Sequence, residues 1–333
     1  MSQDTLDKWR KIGEEQIKTG KFAVVTMAGG QGTRLGHSKP KGTYMLNIRG
    51  KLISIFELLI SRLKKAHETL GVYIPWYIMT SEENNKDTVE FFEENNYFGY
   101  DRSYISFFKQ GELPMQDKEG NVVCDTKTHV KFAANGNGGV FKAICDHVLQ
   151  DMKNRGVQYV YFSGVDNILV NFVDEVFLGG MIDTGNTAAT KSVLKAYPEE
   201  KVGVICNKDG LPAVVEYTEL TQDMCNLRKK NGELAFSEAN IVSNIFSIEL
   251  LSKAGSLPYH VAVKKSKVAK ADGSTVEEYV YKYEMFIFDI YQKLSNIFAL
   301  RVKREDEFAP IKNKEGVDSP KTAVELYLRA NKL

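Results

Sequence analysis

Residues 27–36 read Met-Ala-Gly-Gly-Gln-Gly-Thr-Arg-Leu-Gly and follow the apolar run Phe-Ala-Val-Val-Thr. A loop so poor in side chains lets backbone N–H groups come within hydrogen-bond reach of an anion. Arg34, set among the glycines, adds a planar fork of donors suited to phosphate oxygens. Lys41, seven residues further on in Lys-Pro-Lys-Gly, adds a second cation. That combination suits chemistry in which negative charge develops on phosphoryl oxygens and must be neutralised in place. Neither common phosphate fingerprint is present. The dinucleotide pattern Gly-x-Gly-x-x-Gly fails because Leu35 stands where its last glycine belongs, and the P-loop pattern fails because His37 and Ser38 follow Gly36. Read from its residues alone, the stretch is either an unusual phosphate grip or a tight turn with basic neighbours.

The elements that must position this loop follow an alternating order. Residues 2–18 carry Leu6, Trp9, Ile12 or Gly13, and Ile17 near helical spacing. "KFAVVTM" is short, apolar and β-branched, as a strand buried on both faces would be. A helix is expected over "ISIFELLISRLKKAHETLG", ending at Gly71. "VYIPWYIMTS" reads as a second strand, with Ser81 as cap of the helix in "EENNKDTVEFFEENN". "SYISFFKQG" suits an edge strand. Val140, Ile144, Val148 and Met152 predict one helix behind a second glycine turn, and "VQYVYFSGVDN" predicts a strand ending near Asp166. The β-α-β-α order predicts a doubly wound α/β sheet with ligands at the carboxyl ends of its strands.

After about residue 185 the pattern becomes β-rich, with "NKDG" as a hairpin turn, then a basic exposed stretch in "VKKSKVAKADGSTVEE". Tyr283, Phe286, Ile290 and Leu294 return to helical spacing. No linker separates the halves, so one unit with two lobes is expected.

Composition excludes several classes. Net charge is +1, with 26% charged and 43% hydrophobic residues over 333 positions, so no global electrostatic argument favours nucleic acid or membrane. No apolar stretch approaches the roughly 18 residues of a membrane span, and a cytoplasmic location is the expectation. Cys124, Cys145, Cys206 and Cys225 have no metal or disulfide spacing and are expected to be buried thiols. His37, His67, His129, His147 and His260 show no metal spacing, and His260 is expected to be a hydrogen-bonded structural residue. The plentiful Tyr and Phe suit core packing better than base stacking.

"MAGGQGTRLGHSKPKG" resembles the signature of the eukaryotic-type UDP-sugar pyrophosphorylases, nearest that of the UDP-N-acetylglucosamine pyrophosphorylases. The resemblance continues through "FFKQGELPM", "GNGGVFKAI", "GVDNILV", "VGVICNKDGLPAVVEYTEL", "EANIVSNIF", "LPYHVAVKK", "EMFIFDIYQ" and "REDEFAPIKN", over residues of roughly 20–330. It implies an α/β, Rossmann-like nucleotidyltransferase core of the glycosyltransferase-A type, with a central mixed, mostly parallel sheet and a β-rich sugar-binding lobe. Residues 1–333 would form a single catalytic domain, with a nucleotide-binding lobe over 20–180 and a sugar-phosphate-binding lobe over 181–310. It also implies UTP, a sugar 1-phosphate and Mg²⁺ as reaction partners, with release of pyrophosphate.

By the same resemblance, Gly29, Gly30, Gly32 and Thr33 would surround the nucleotide, Arg34 would hold its β and γ phosphates, and Lys41 would lie near the α phosphate. Gln110, Gly111, Asn137 and Gly138 would lie near the uracil; a carboxamide both donates and accepts, as the uracil edge requires. Asp166 would bind the nucleotide's Mg²⁺ as a hard oxygen ligand, though an aspartate after a strand also suits a helix cap. Glu216, Tyr217 and Asn240 would read sugar hydroxyls. Lys282 would reach the sugar phosphate, and Lys195 is a second candidate for it. Lys282 stands where related bacterial enzymes carry a second metal ligand, so a two-carboxylate metal site is not expected. Ser243, Asn244 and Ala239 depart from the acetylhexosamine pattern and are expected to alter the sugar pocket. The sugar expected is N-acetylglucosamine or N-acetylgalactosamine 1-phosphate, with glucose 1-phosphate or a broad range as the alternative. A nucleotide-sugar-binding protein without turnover is the reading from a different class.

Overall fold

A computed structural model describes residues 1–255 and 257–332. Its centre is a mixed sheet of nine strands among the described residues. Phe22–Met27, buried on both faces, runs parallel to Tyr159–Gly164 on one side and Trp76–Thr80 on the other. Trp76–Thr80 in turn pairs in parallel with Ile105–Lys109, which forms the sheet edge. Helices Gln3–Lys18, Ile55–Leu70, Asn85–Glu94 and Val140–His147 accompany these strands. This is the doubly wound half expected from the alternating pattern.

Across Tyr159–Gly164 the sheet changes sense. The long strand Glu238–Ser247 pairs antiparallel with it, with Ala188–Leu194 and with Val204–Lys208. Val204–Lys208 and Leu211–Val215 form the expected hairpin, whose turn takes Asp209 and Gly210 through positive φ. One hydrogen-bonded sheet therefore runs through both halves, parallel on the loop side and chiefly antiparallel beyond it.

Several local expectations need correction. The cap before Asn85–Glu94 is Asn84, with Ser81 one turn earlier bonded to it. The predicted helix after the second glycine turn is broken at Val148 into Val140–His147 and Leu149–Asn154, although all four spaced apolar residues are buried. The stretch through Phe286 and Ile290 is not an α-helix. Tyr283 is the penultimate residue of the strand Thr275–Glu284, and Ile287–Lys293 is a 3₁₀ segment whose apolar side chains fill the core. Lys282 is thus a strand residue. The basic stretch is the strand His260–Ala269, paired with Thr275–Glu284 in an exposed twisted ribbon. The thiols are not core groups: Cys145 is exposed and the others are half-buried. No described helix is long and apolar enough to cross a membrane.

The amino-terminal helix is seated through glycine. A Cβ on Gly179 would lie 1.8 Å from the Trp9 carbonyl oxygen, and one on Gly13 would lie 2.0 Å from that of Glu175. Trp9 Nε1 then donates to Asp183 at 2.9 Å. Because backbone cannot give way as a flexible side chain does, Gly179→Ala is expected to destabilise the fold by about 1–3 kcal/mol. Chemical denaturation checks this, and an unchanged midpoint contradicts the close contact.

Candidate active site

Because the strands are parallel, their carboxyl ends bring together loops far apart in sequence. Met27 stands opposite Gly164 and Thr80 opposite Lys109, so the segments that follow them meet on one edge. Past Met27 the glycine loop folds onto itself: Lys41 N–H donates to Gly30 O, Gly32 N–H to Lys39 O, and His37 N–H to Gly32 O. The buried Asn84 side chain donates to Ala28 O at 2.9 Å and fixes the loop's root. Nothing in the sequence marked Asn84 for that task. Arg34 lies on an exposed 3₁₀ turn, and its guanidinium makes no bond to any described residue. Lys41 is half-buried, with Nζ on Ile311 O at 3.2 Å. Burial and the nearby Lys39 hold the His37 imidazole below its ordinary pKa, while its Nε2 lies 2.8 Å from Thr43 Oγ1.

Gln110 and Gly111 follow the edge strand. The Gln110 carboxamide lies over Gly29, where a Cβ would approach its Nε2 to 2.5 Å, so any larger residue there would push the carboxamide aside. Behind these two loops lies Asn135, which the sequence reading missed. Its side chain is wedged between Gly111 and Gly139, and a Cβ on Gly139 would sit 2.1 Å from Asn135 Oδ1. Asn137 Oδ1 accepts from Ile287 N–H, and Gly138 N–H donates to Met285 O, which locks the second glycine turn to the carboxyl-terminal half. Gly29, Gln110, Gly111, Asn137 and Gly138 thus share one region.

Asp166 follows the strand Tyr159–Gly164. Its carboxylate has no hydrogen-bond or ion-pair partner among the described residues, and it lines a cavity of about 280 Å³ with Asn137, Asn167, Asn240, Val242, Phe308 and Lys312. Lys312 is a further residue the sequence reading did not single out, although it lies in the stretch "REDEFAPIKN" that carries the resemblance. Asn240 Oδ1 accepts from Val242 N–H, and Val242 itself sits at φ +53°, an uncommon conformation for a β-branched residue. Beside it the pairing with Ala188–Leu194 shifts register, a bulge that turns Asn240 toward the cavity. Ser243 and Asn244, expected to alter this pocket, are instead buried in the core, where Asn244 Oδ1 accepts from Tyr291 OH. Ala239 is buried as well.

Glu216 is half-buried, and Tyr217 beside it is exposed. Burial pushes the Glu216 carboxyl above its ordinary pKa. Glu219 and Asp289 add to that push, and His260 and Lys312 oppose it, which places Glu216 within electrostatic reach of the cavity residue Lys312. His260 is held as expected, with Nε2 2.8 Å from the buried Asp289. Two candidate lysines are occupied. Lys282 pairs with Glu284 at 2.7 Å on the ribbon, and the buried Lys195 donates to Pro198 O.

Among the described residues no group of three or more His, Cys, Asp or Glu could enclose a metal ion. A single unpartnered carboxylate at a strand end is nonetheless a donor set that Mg²⁺ accepts when substrate phosphates supply further ligands.

The fold is that of the nucleotidyltransferases. It superposes on the UDP-N-acetylglucosamine pyrophosphorylase of Trypanosoma brucei, solved with an inhibitor, with TM-score 0.89 and 31% identity over 98% of this chain and 68% of that one. A UDP-glucose pyrophosphorylase of Leishmania major shares the fold at TM-score 0.74 and 17% identity, covering 93% of this chain and 66% of that one. The profile of the UTP–glucose-1-phosphate uridylyltransferase family matches residues 1–319, and the chain belongs to that family. Human UDP-N-acetylhexosamine pyrophosphorylase-like protein 1 is 39% identical over 98% of the chain and 67% of its own length. The UDP-N-acetylglucosamine pyrophosphorylase of Saccharomyces cerevisiae is 37% identical over 96% of the chain and 71% of its own. The chain spans about two thirds of the length of such relatives, 65% for the Xenopus tropicalis protein.

The raised Glu216 carboxyl sets a pH dependence. A carboxyl whose folded pKa lies above its unfolded value lowers stability once ionised, and that loss disappears as pH falls toward the unfolded value of about 4.3. Glu216→Gln is therefore expected to melt above the parent at neutral pH, with the difference closing on acidification. Melting curves across pH check this; a parent that melts higher at pH 7 contradicts the assignment.

Proposed function

We propose that this chain forms a UDP-sugar and pyrophosphate from UTP and an N-acetylhexosamine 1-phosphate. The observation that carries the reading is the meeting, at one sheet edge, of a glycine loop bearing the unpartnered Arg34 with the cavity of Asp166, Asn240 and Lys312. The acetamido sugar is chosen because relatives named for N-acetylhexosamine or N-acetylglucosamine share 37–39% of the sequence, whereas the UDP-glucose enzyme shares 17%.

In this reading an oxygen of the sugar phosphate attacks the α-phosphorus of UTP. A new phosphorus–oxygen bond forms as the bond to the bridging α–β oxygen breaks, and pyrophosphate leaves with that electron pair. The attacking group is already an anion, so no general base is needed, and positioning with charge neutralisation dominates. The backbone of Gly29, Gly30, Gly32 and Thr33 receives the triphosphate, and Arg34 neutralises the departing phosphates. Lys41 must exchange the Ile311 carbonyl for the α-phosphate. Gln110, Gly111, Asn137 and Gly138 form the uracil side, with Asn135 holding the two loops together. Lys312 meets the sugar phosphate, with Lys282 as a further cation at the ribbon; Lys195, tied to its own turn, is set aside. Asn240, Glu216 and Tyr217 flank the sugar. Mg²⁺ would be held by Asp166 and would offset phosphate charge.

Pyrophosphate release from UTP, assayed with N-acetylglucosamine, N-acetylgalactosamine, glucose and galactose 1-phosphates, is expected to be fastest with an acetamido sugar. Release with none of them, despite uridine nucleotide binding, overturns the catalytic reading in favour of a binding protein. Arg34→Ala is expected to lower kcat by roughly 10²–10³, as loss of one preorganised donor does, with an unchanged melting temperature. A near-normal rate removes Arg34 from the phosphate grip.

A further inference from the structure

Lys191 has the most deeply buried ammonium of the ion pairs in the structure, with no solvent exposure. Its Nζ lies 2.6 Å from Asp174 Oδ2 and 2.6 Å from Glu307 Oε2. Asp174 is itself fixed, since its other oxygen accepts from Phe177 N–H at the start of helix Glu175–Asp183. Burial works against Asp174 ionisation, but Lys191 and the Phe177 and Val176 amides hold its carboxyl low. Glu307 goes the other way, with burial outweighing the attraction of Lys191. Such a cluster is a poor device for stability, because replacing buried ions by packed apolar groups is often neutral or stabilising. What it does supply is register, since charged partners hold at one separation and one direction only.

The register fixed here belongs to the site. Glu307 begins the segment 307–312, which runs across the turn at Asp166 and ends at Lys312. The Asn167 carboxamide straddles the segment, donating to Glu307 O at 2.8 Å and accepting from Ala309 N–H at 2.9 Å. Ile311 N–H donates to Asp166 O, and Ile311 O receives Lys41 Nζ. Ala309 and Ile311 are fully buried, so the segment cannot slide without emptying core space. One end is thus held by an ion cluster; at the other, Lys312 lines the cavity with its Nζ 3.4 Å from Asp318 Oδ2, a long pairing that a phosphate would have to displace, and Ile311 turns its carbonyl to Lys41.

We propose that Glu307 is a positioning residue for the sugar-phosphate half of the reaction. By clamping onto the Lys191–Asp174 pair it sets the height of the segment 307–312 and hence the reach of Lys312. The inference rests on the reading of Lys312 as the cation that meets the sugar phosphate. Glu307 touches neither substrate, so its loss is felt through Lys312.

Steady-state kinetics on the full chain, with UTP and N-acetylglucosamine 1-phosphate, test it in Glu307→Gln, Lys312→Ala and the double variant. Because a displacement of about 1 Å can cost up to about a hundredfold, Glu307→Gln is expected to raise KM for the sugar phosphate about tenfold or more, with KM for UTP little changed. The double variant is expected to be no worse than Lys312→Ala, since groups acting through one another are not additive. Wild-type constants in folded Glu307→Gln, or effects that multiply in the double variant, overturn the proposal while leaving Lys312 in place. An unchanged KM for the sugar phosphate in Lys312→Ala removes the reading beneath it, and the proposal with it. Should Glu307→Gln not fold, Glu307→Asp keeps the charge and shortens its reach. It is expected to show a smaller rise confined to the sugar phosphate, and wild-type constants there also overturn the proposal.

Discussion

The Asn167 carboxamide, gripping the backbone on both sides of Phe308, is the contact on which the site depends. A carboxamide offers a donor and an acceptor a fixed distance apart, and here each meets one main-chain group of a segment some 140 residues away. The segment also pairs with residues 166–168 through an antiparallel bridge between Asn167 and Pro310, so side chain and backbone of the same turn hold it together. Together with the bonds from Ile311 N–H to Asp166 O and from Lys41 Nζ to Ile311 O, the grip ties the loops of Asp166, Lys41 and Lys312 to one another. With it, the ends of two parallel strands and a carboxyl-terminal strap share one rigid framework, and the cavity between them has a defined shape.

That rigidity contrasts with the glycine loop. The strap is buried and held by charged and polar groups, whereas Thr33 and Arg34 stand in solvent on a short 3₁₀ turn. The division suits a two-substrate reaction. An exposed cation, unpaired among the described residues, is free to meet a triphosphate arriving from solvent, while the second substrate meets a preformed wall. The strained Val242 lies on that wall, and Glu216, whose carboxyl is pushed above its ordinary pKa, lies within electrostatic reach of Lys312 on it. Strain and a misplaced charge persist where the surrounding fold over-determines them, which is characteristic of binding surfaces.

The doubly wound half was legible in the sequence because buried parallel strands are short apolar runs, and "FAVVT", "WYIMT" and "YVYFS" are unmistakable as such. The glycine loop was legible because its glycines, Arg34 and Lys41 are adjacent in the chain. Ile287–Lys293 was misread because a 3₁₀ segment buried on several sides mimics helical apolar spacing. Tyr283, counted into that helical spacing, belongs instead to the strand that carries Lys282. Lys191, Glu307, Asn135 and Asn167 were invisible for another cause. Each derives its meaning from a partner far along the chain: Lys191 from Asp174 and Glu307, Asn135 from Gly111, and Asn167 from Glu307 and Ala309. Lys312 was not singled out because a lone lysine after an apolar turn has no spacing signal of its own; its place beside Asp166 and Asn240 comes from the fold. The bulge at Val242, which sends Ser243 and Asn244 inward, has no mark in the local sequence either.

A crystal structure with a UDP-N-acetylhexosamine bound tests the central claim most directly. The account predicts the uracil against Gln110, Gly111 and the Asn137–Gly138 turn, the diphosphate between the glycine loop and Asp166, and the sugar beside Asn240 with Lys312 at its phosphate. A nucleotide sugar bound elsewhere, with residues 29–34, Asp166 and Asn240 all untouched, would contradict it.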